Sequence, residues 1–253
     1  MALEVHQFPC LKDNYGFLVR DEESGEVGCV DTPDADAILA ELGRLGWRLS
    51  KILNTHWHPD HAGGNARIQE ATGAEIIGPQ EVTRIAPLDR AVRDGDVVEL
   101  GSTRLQVLET GGHTLGHISY LDAADGVVFV GDTLFALGCG RLFEGAPEQM
   151  WTSLSRLAAL PDETLVYCAH EYTAANARFA LSVDQSPALK ARADRVFAAR
   201  ARGEPTVPTR IGEEKAANPF LRAPQLKAAM GLPAVSDVEA FAAVRRAKDE
   251  FRG

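Results

Sequence analysis

Cysteine is scarce in this chain of 253 residues: only Cys10, Cys29, Cys139 and Cys168, with no Cys-x-x-Cys pair. That spacing excludes a zinc knuckle or a redox couple and predicts reduced thiols in or near a core. Long apolar runs are also missing. The runs over 127–130 and 164–168 are strand length, far short of the roughly 20 residues that span a bilayer, so no transmembrane helix and no membrane partner are expected. Met1-Ala2-Leu3-Glu4-Val5-His6 lacks a positive stretch followed by an apolar core, so no signal peptide is expected and the chain reads as cytoplasmic. A basic surplus is lacking too. The formal net charge of −10 argues against a nucleic-acid partner, and an anionic substrate would need cations gathered locally.

What is present is ordinary for a globular protein, with 45% hydrophobic and 25% charged residues. Strands are predicted over 3–8, 16–20, 27–30, 51–54, 97–100, 103–109, 118–121, 127–130 and 164–168, and helices over 35–45 and 147–159. After Tyr172 the strand pattern stops. Ala/Arg/Leu-rich helical patterns follow over 174–181, 187–202 and 238–251, with a Pro/Thr/Gly loop over 203–212. The simplest architecture is an α+β catalytic domain over 1–172 and a small all-helical domain over 173–253.

The chemistry starts at Thr55-His56-Trp57-His58-Pro59-Asp60-His61, where four potential ligands crowd together directly after a predicted strand. Packed imidazoles and carboxylates must be hydrated or neutralised, and a divalent cation does this directly. The His-x-His-x-Asp-His pattern supplies the N and O ligands that suit zinc, iron or manganese. Ala62-Gly63-Gly64 then offers backbone freedom for a turn into a helix near Asn65. Three further stretches follow predicted strands: Gly111-Gly112-His113-Thr114-Leu115-Gly116-His117, Gly131-Asp132-Thr133, and His170 in Cys168-Ala169-His170-Glu171-Tyr172. Strand-end loops on one sheet edge could gather all of them. His6 lies outside these motifs and reads as structural.

These residues resemble the metallo-β-lactamase superfamily, whose fold is an αββα sandwich with metals at the edge of its two sheets. The resemblance implies two divalent ions per chain, zinc first with iron or manganese as alternatives. His56, His58 and His113 would hold one ion, Asp60, His61 and His170 the other, and Asp132 would bridge them. His117 is left as a supporting residue behind the ligands.

The stretch Gly131-Asp132-Thr133-Leu134-Phe135-Ala136-Leu137-Gly138-Cys139-Gly140-Arg141-Leu142-Phe143-Glu144-Gly145 narrows the resemblance. Together with His170-Glu171-Tyr172-Thr173, Asn218-Pro219-Phe220-Leu221-Arg222 and Arg245-Arg246-Ala247-Lys248-Asp249-Glu250-Phe251, it resembles the glyoxalase II family, the hydroxyacylglutathione hydrolases. The likeness implies hydrolysis of S-(2-hydroxyacyl)glutathione thioesters, chiefly S-D-lactoylglutathione, as a step in methylglyoxal detoxification. A metal-bridging hydroxide would attack the thioester carbonyl, oriented by Asp60 and Asp132. Glutathione carries two carboxylates, and Arg245 and Lys248, three apart on the last predicted helix, share a face. The resemblance places them on its glycine carboxylate and places Arg141 and Tyr172 on its peptide backbone. Phe143 stands where other members carry tyrosine, which removes a hydroxyl contact but leaves stacking. Two other readings stay open: a glutathione persulfide dioxygenase with one iron, and a non-catalytic metal-binding protein of the same fold. A monomer is expected.

Overall fold

The computed structural model describes residues 3–253. Contacts group the chain into two compact units, one reaching Thr110 and including Gly116–Gly131, the other combining Gly111–Leu115 with Asp132–Gly253.

In the first unit β1 (Leu3–Cys10) and β2 (Asn14–Asp21) form an antiparallel hairpin with Leu3 opposite Asp21 and Cys10 opposite Asn14. β2 pairs antiparallel with β3 (Val27–Val30), after which the sheet turns parallel through β4 (Leu49–Leu53), β5 (Glu75–Gly78) and β6 (Arg90–Ala91). Parallel neighbours need crossovers. Helix α1 (Ala35–Leu45) links β3 to β4, while α2 (Pro59–Ala62) and α3 (Asn65–Thr72) link β4 to β5. Helix α1 starts where the Asp34 carboxylate accepts from the backbone N–H of Asp36 and Ala37, at 3.0 and 3.2 Å. It stops at Gly46, in the left-handed region at φ 68°. Its buried Ile38 and Leu42 pack with Leu18, Ile52, Ile68 and Ile76. An antiparallel meander follows: β7 (Val97–Leu100), β8 (Thr103–Glu109), β9 (Ile118–Asp122) and β10 (Val127–Gly131), each strand beside the next.

The second unit opens with a two-rung hairpin of β11 (Leu134–Phe135) and β12 (Gly138–Cys139). Then come α4 (Pro147–Ala158), β13 (Leu165–Cys168), α5 (Thr173–Val183), α6 (Pro187–Ala201), β14 (Thr209–Arg210), α7 (Ile211–Ala217), α8 (Ala223–Leu226) and α9 (Asp237–Glu250). Helices α5 and α6 meet through Ala177, Ala180, Leu189 and Ala193, the three alanines admitting close approach. Phe179, Phe220 and Phe241 form a tilted and edge-on series with centroids 5.9 and 6.3 Å apart.

The predicted loop over 203–212 is partly structured. Thr209 and Arg210 pair antiparallel with Val166 and Leu165, and Ile211 starts α7. Two residues carry no readable alternation, so backbone pairing alone makes this strand. The four cysteines are buried, as their spacing suggested, and burial pushes the Cys10 and Cys168 thiols up to about 12.

Helix α9 begins with a reciprocal cap in which Ser236 Oγ accepts from Glu239 N–H at 3.2 Å and Glu239 Oε2 accepts from Ser236 N–H at 2.8 Å. Replacing Ser236 with alanine is expected to cost about 1 kcal/mol, measured as a lowered midpoint in urea unfolding at unchanged slope. An unchanged midpoint would show that the cap adds nothing.

Candidate metal centre

Within the first unit, β4 delivers the dense ligand run. Its last residue is Leu53, and the chain beyond it is locked by buried amides. Asn54 Nδ2 donates to His61 O at 2.9 Å, and Asn65 Nδ2 donates to Asn54 Oδ1 at 2.6 Å. His58 sits at the N-cap of α2 with Pro59 in the first turn, where a missing N–H costs nothing. Gly63 and Gly64 have ordinary helical φ values of −65° and −82°. Their need is space rather than backbone freedom, because a Cβ would stand 2.3 Å from Pro59 O at the first and 2.7 Å from Thr32 O at the second.

Asp31 is the hub behind this run. Its Oδ1 accepts from Thr55 N–H at 2.8 Å, and its Oδ2 accepts from both Thr55 Oγ1 and His61 Nδ1, each at 2.8 Å. A donated Nδ1–H places the His61 lone pair on Nε2, 3.6 Å from Asp60 Oδ2. Thr55 spends its one hydroxyl hydrogen on Asp31, so Oγ1 accepts from His56 Nδ1–H at 3.0 Å and the His56 lone pair also falls on Nε2. That atom is 3.0 Å from His58 Nδ1. Asp60 Oδ2 accepts from Asn14 Nδ2 at 3.1 Å. His117 is buried, stacks on His56 at 4.8 Å and faces Thr110 Oγ1 through Nδ1 at 3.1 Å. His6 is engaged elsewhere, with Glu41 at 2.8 Å.

The second unit carries the remaining candidate ligands. His113 Nδ1–H donates to Arg141 O at 2.7 Å, which leaves its Nε2 facing Asp132 Oδ2 at 3.4 Å. The other oxygen, Oδ1, lies 3.4 Å from His170 Nε2. Two atoms bound to one ion at about 2.0–2.2 Å with tetrahedral angles stand about 3.3–3.5 Å apart. Both Asp132 separations fit that spacing, one imidazole per oxygen. The donor set suits a divalent cation.

The predicted substrate residues of this unit form a strip leading from His113. The Phe143 ring lies edge-on to His113 at 5.2 Å, with the Arg141 guanidinium 5.9 Å from its centroid. Arg141 Nε and Arg245 Nη2 share Asp249 Oδ1, at 3.4 and 2.9 Å. Phe143 is 60% exposed while Arg245 is only 6% exposed. Tyr172 stacks on His170 with centroids 4.6 Å apart. Lys248 Nζ donates to Ala175 O at 3.3 Å beside the Phe179 and Phe251 rings. Burial, joined by the Arg245 and Arg178 cations, pushes its pKa down to about 8.

Asp31, Asn14 and Asp249 were not among the predicted site residues. Asp31 had one sequence signal, its place at the end of a predicted strand, but its left-handed backbone at φ 58° is visible only in the fold. Asparagine tolerates that conformation, so Asp31→Asn spares the backbone while removing the charge and turning one of the two accepting oxygens into an NH2 donor. It is expected to weaken metal binding about 10- to 100-fold, in line with other losses of a histidine's outer partner, read by chelator competition. Unchanged affinity would deny Asp31 this role.

The pattern of the metallo-beta-lactamase superfamily matches residues 27–170, and that of the hydroxyacylglutathione hydrolase C-terminus matches residues 171–251. The chain is 58% identical to a hydroxyacylglutathione hydrolase of Maricaulis maris, over 98% of this chain and 99% of that one. It is 55% identical to a hydroxyacylglutathione hydrolase of Erythrobacter litoralis, over 98% and 100%. Among solved structures, ETHE1 from Myxococcus xanthus superposes with a TM-score of 0.66 at 28% identity, over 96% of this chain and 97% of that one. With both patterns matched in tandem and such identity along nearly its whole length, this chain belongs to the hydroxyacylglutathione hydrolase family, with the metallo-β-lactamase fold and a helical C-terminal region.

Proposed function

We propose that the chain hydrolyses S-(2-hydroxyacyl)glutathione, chiefly S-D-lactoylglutathione, to glutathione and D-lactate, and so serves methylglyoxal detoxification. The observation that carries the metal chemistry is Asp132, whose two oxygens each face a different imidazole at 3.4 Å. Membership of the family supports the thioester substrate.

In this reading two divalent ions, zinc first, are held by His56, His58 and His113 on one side and Asp60, His61 and His170 on the other, with Asp132 shared. When bound, they supply a Lewis acid for the thioester carbonyl and water acidified towards neutrality. The chain's own residues do the rest. Asp60, steadied by Asn14, and Asp132 accept from the attacking water and aim it. Water adds to the acyl carbon and gives up its protons to solvent, the C–S bond breaks, and the sulfur leaves as a thiolate that takes one proton back from solvent, leaving a carboxylate. A thiol of pKa roughly 8.5 needs no dedicated acid for this. Residues 173–253 act as the glutathione-binding domain. Arg245 and Lys248 take the glycine carboxylate, while Arg141, Phe143 and Tyr172 line the peptide. No described helix is long and apolar enough to cross a membrane, and the reading takes the protein as a cytoplasmic monomer.

The direct test is loss of thioester absorbance with S-D-lactoylglutathione. Wild type should turn over, and Asp132→Ala should lose about 10²- to 10³-fold in kcat, the scale of one removed transition-state stabiliser. A metal-loaded wild type that leaves the thioester intact would overturn the reading, and oxygen uptake with glutathione persulfide would then point to the dioxygenase. A pH profile gives a second check. Lys248 has its pKa lowered to about 8, so it is charged below that pH and neutral above it. The kcat/KM of the free enzyme should therefore fall above pH 8. Lys248→Arg, charged throughout, should flatten that limb; an unaltered limb would remove Lys248 from substrate binding.

A further inference from the structure

The short hairpin that follows Asp132 is too small to hold itself. β11 and β12 contribute two paired positions each, Leu134 with Cys139 and Phe135 with Gly138, and even longer isolated hairpins are marginal in water. Its tip residue Leu137 has a left-handed backbone at φ 57°, a conformation that costs free energy in a side chain without local polar support. Yet the segment is wholly buried, so its backbone polar groups need partners.

Those partners come from helices of the C-terminal region. Asn176 of α5 donates Nδ2–H to Ala136 O at 3.1 Å. Glu214 of α7 accepts from Leu137 N–H through Oε2 at 2.9 Å. Asn218, just past α7, directs the two hydrogens of Nδ2 at three acceptors, two of them sharing one: Phe135 O at 3.1 Å, Gly138 O at 2.9 Å and Glu214 Oε2 at 2.9 Å. Glu214 is itself completely buried, braced through Oε1 by Arg192 Nη2 and by Thr209 Oγ1. Phe135 O, Ala136 O, Leu137 N–H and Gly138 O are thus each met by an anchored side chain.

The grip reaches Asp132 through the backbone. Gly140, at the exit of the hairpin, donates its N–H to Thr133 O at 3.1 Å, and a Cβ at Gly140 would stand 1.9 Å from Asp132 O. The exit strand therefore lies directly on the carbonyl of Asp132. A shift of the hairpin moves the residue whose two oxygens face His113 and His170.

We infer that Asn218, Glu214 and Asn176 are positioning residues that hold Asp132 in its metal-sharing orientation through the 134–139 hairpin. This rests on the proposed metal chemistry of Asp132. The Asn-Pro-Phe stretch accordingly serves the metal half of the site, and the helical region does more than bind glutathione. The groups act through hydrogen bonds to backbone, and the chemistry needs no contact between them and substrate.

The test measures metal directly. Wild type, Asn218→Ala and Asn176→Ala are loaded with zinc, and bound metal is followed by elemental analysis during titration with a chromophoric chelator. Lys215→Ala, which removes an exposed ion pair of α7 with Asp162, serves as the control. Expected are an affinity loss of about 10-fold or more in Asn218→Ala, a smaller loss in Asn176→Ala, which forfeits a single bond, and none in Lys215→Ala. The kcat for S-D-lactoylglutathione should fall in the same order with KM within about twofold. A general loss of packing would instead lower the melting temperature and leave metal affinity in the folded protein intact. Should Asn218→Ala fail to fold, Asn176→Ala decides alone. Wild-type affinity and kcat in a folded Asn218→Ala, or in Asn176→Ala where it stands alone, overturns the inference. A wild type that binds no metal instead overturns the reading on which it rests.

Discussion

A carboxylate can present each oxygen to a different imidazole in only a narrow range of orientations, and Asp132 is in that position, 3.4 Å from His113 on one side and from His170 on the other. Rotation of the carboxylate by even a few tens of degrees would spoil both separations. The surrounding unit is arranged to prevent it. His170 arrives from the end of β13, and His113 is tethered through Nδ1 to Arg141 O. The chain leaving Asp132 is returned at once by a hairpin whose turn is filled by helix side chains.

The same demand appears among the histidines of the first unit. An imidazole can bind a cation only through a nitrogen that carries a lone pair, so the other nitrogen must hold the proton. Asp31 and Thr55 settle this for His61 and His56, each accepting from Nδ1. The cost is a cluster of buried polar groups that must all be satisfied together. Thr32, Asn54 and Asn65 complete it with side-chain bonds of 2.6–3.2 Å. Small residues follow from the same economy of space, since Gly64 lets Thr32 approach the helix start and Gly63 lies against Pro59 O.

Much of this was legible in the sequence. The helix over Ala35–Leu45 and the strands Val97–Leu100 and Thr103–Glu109 fall where periodicity put them, because each buries one face of its own pattern. The candidate ligands stood out in the sequence because imidazole and carboxylate crowding has few structural explanations. Other features left weaker traces. Strand β5, Glu75–Gly78, is a four-residue run in a parallel sheet and lacks alternation. Pro59–Ala62 forms one helical turn inside what read as loop. Asp31 and Glu214 looked like ordinary acidic residues. Asp31 meets Thr55 24 positions away and Glu214 meets Leu137 77 positions away, contacts beyond the reach of a local pattern.

Charge shows most clearly what a family resemblance alone leaves out. An acidic protein of net charge −10 gathers Arg141, Arg245 and Lys248 near one another, with Asp249 between the two arginines. Arg245 is not a solvated hook on a helix face. Its Nη1 donates to Cys139 O at 3.0 Å, its Nη2 is paired to Asp249, and its plane lies 5.0 Å from the Phe220 centroid. It therefore supports the end of the hairpin that returns the chain to Asp132, besides any part in holding substrate. Lys248 has a lighter structural load, a single bond to Ala175 O with the Phe179 and Phe251 rings beside its ammonium. Loss of Arg245 must therefore disturb the hairpin and the cation cluster together, whereas a change at Lys248 acts mainly on charge. The two cations, equivalent by spacing on a helix, are inequivalent in what they hold up.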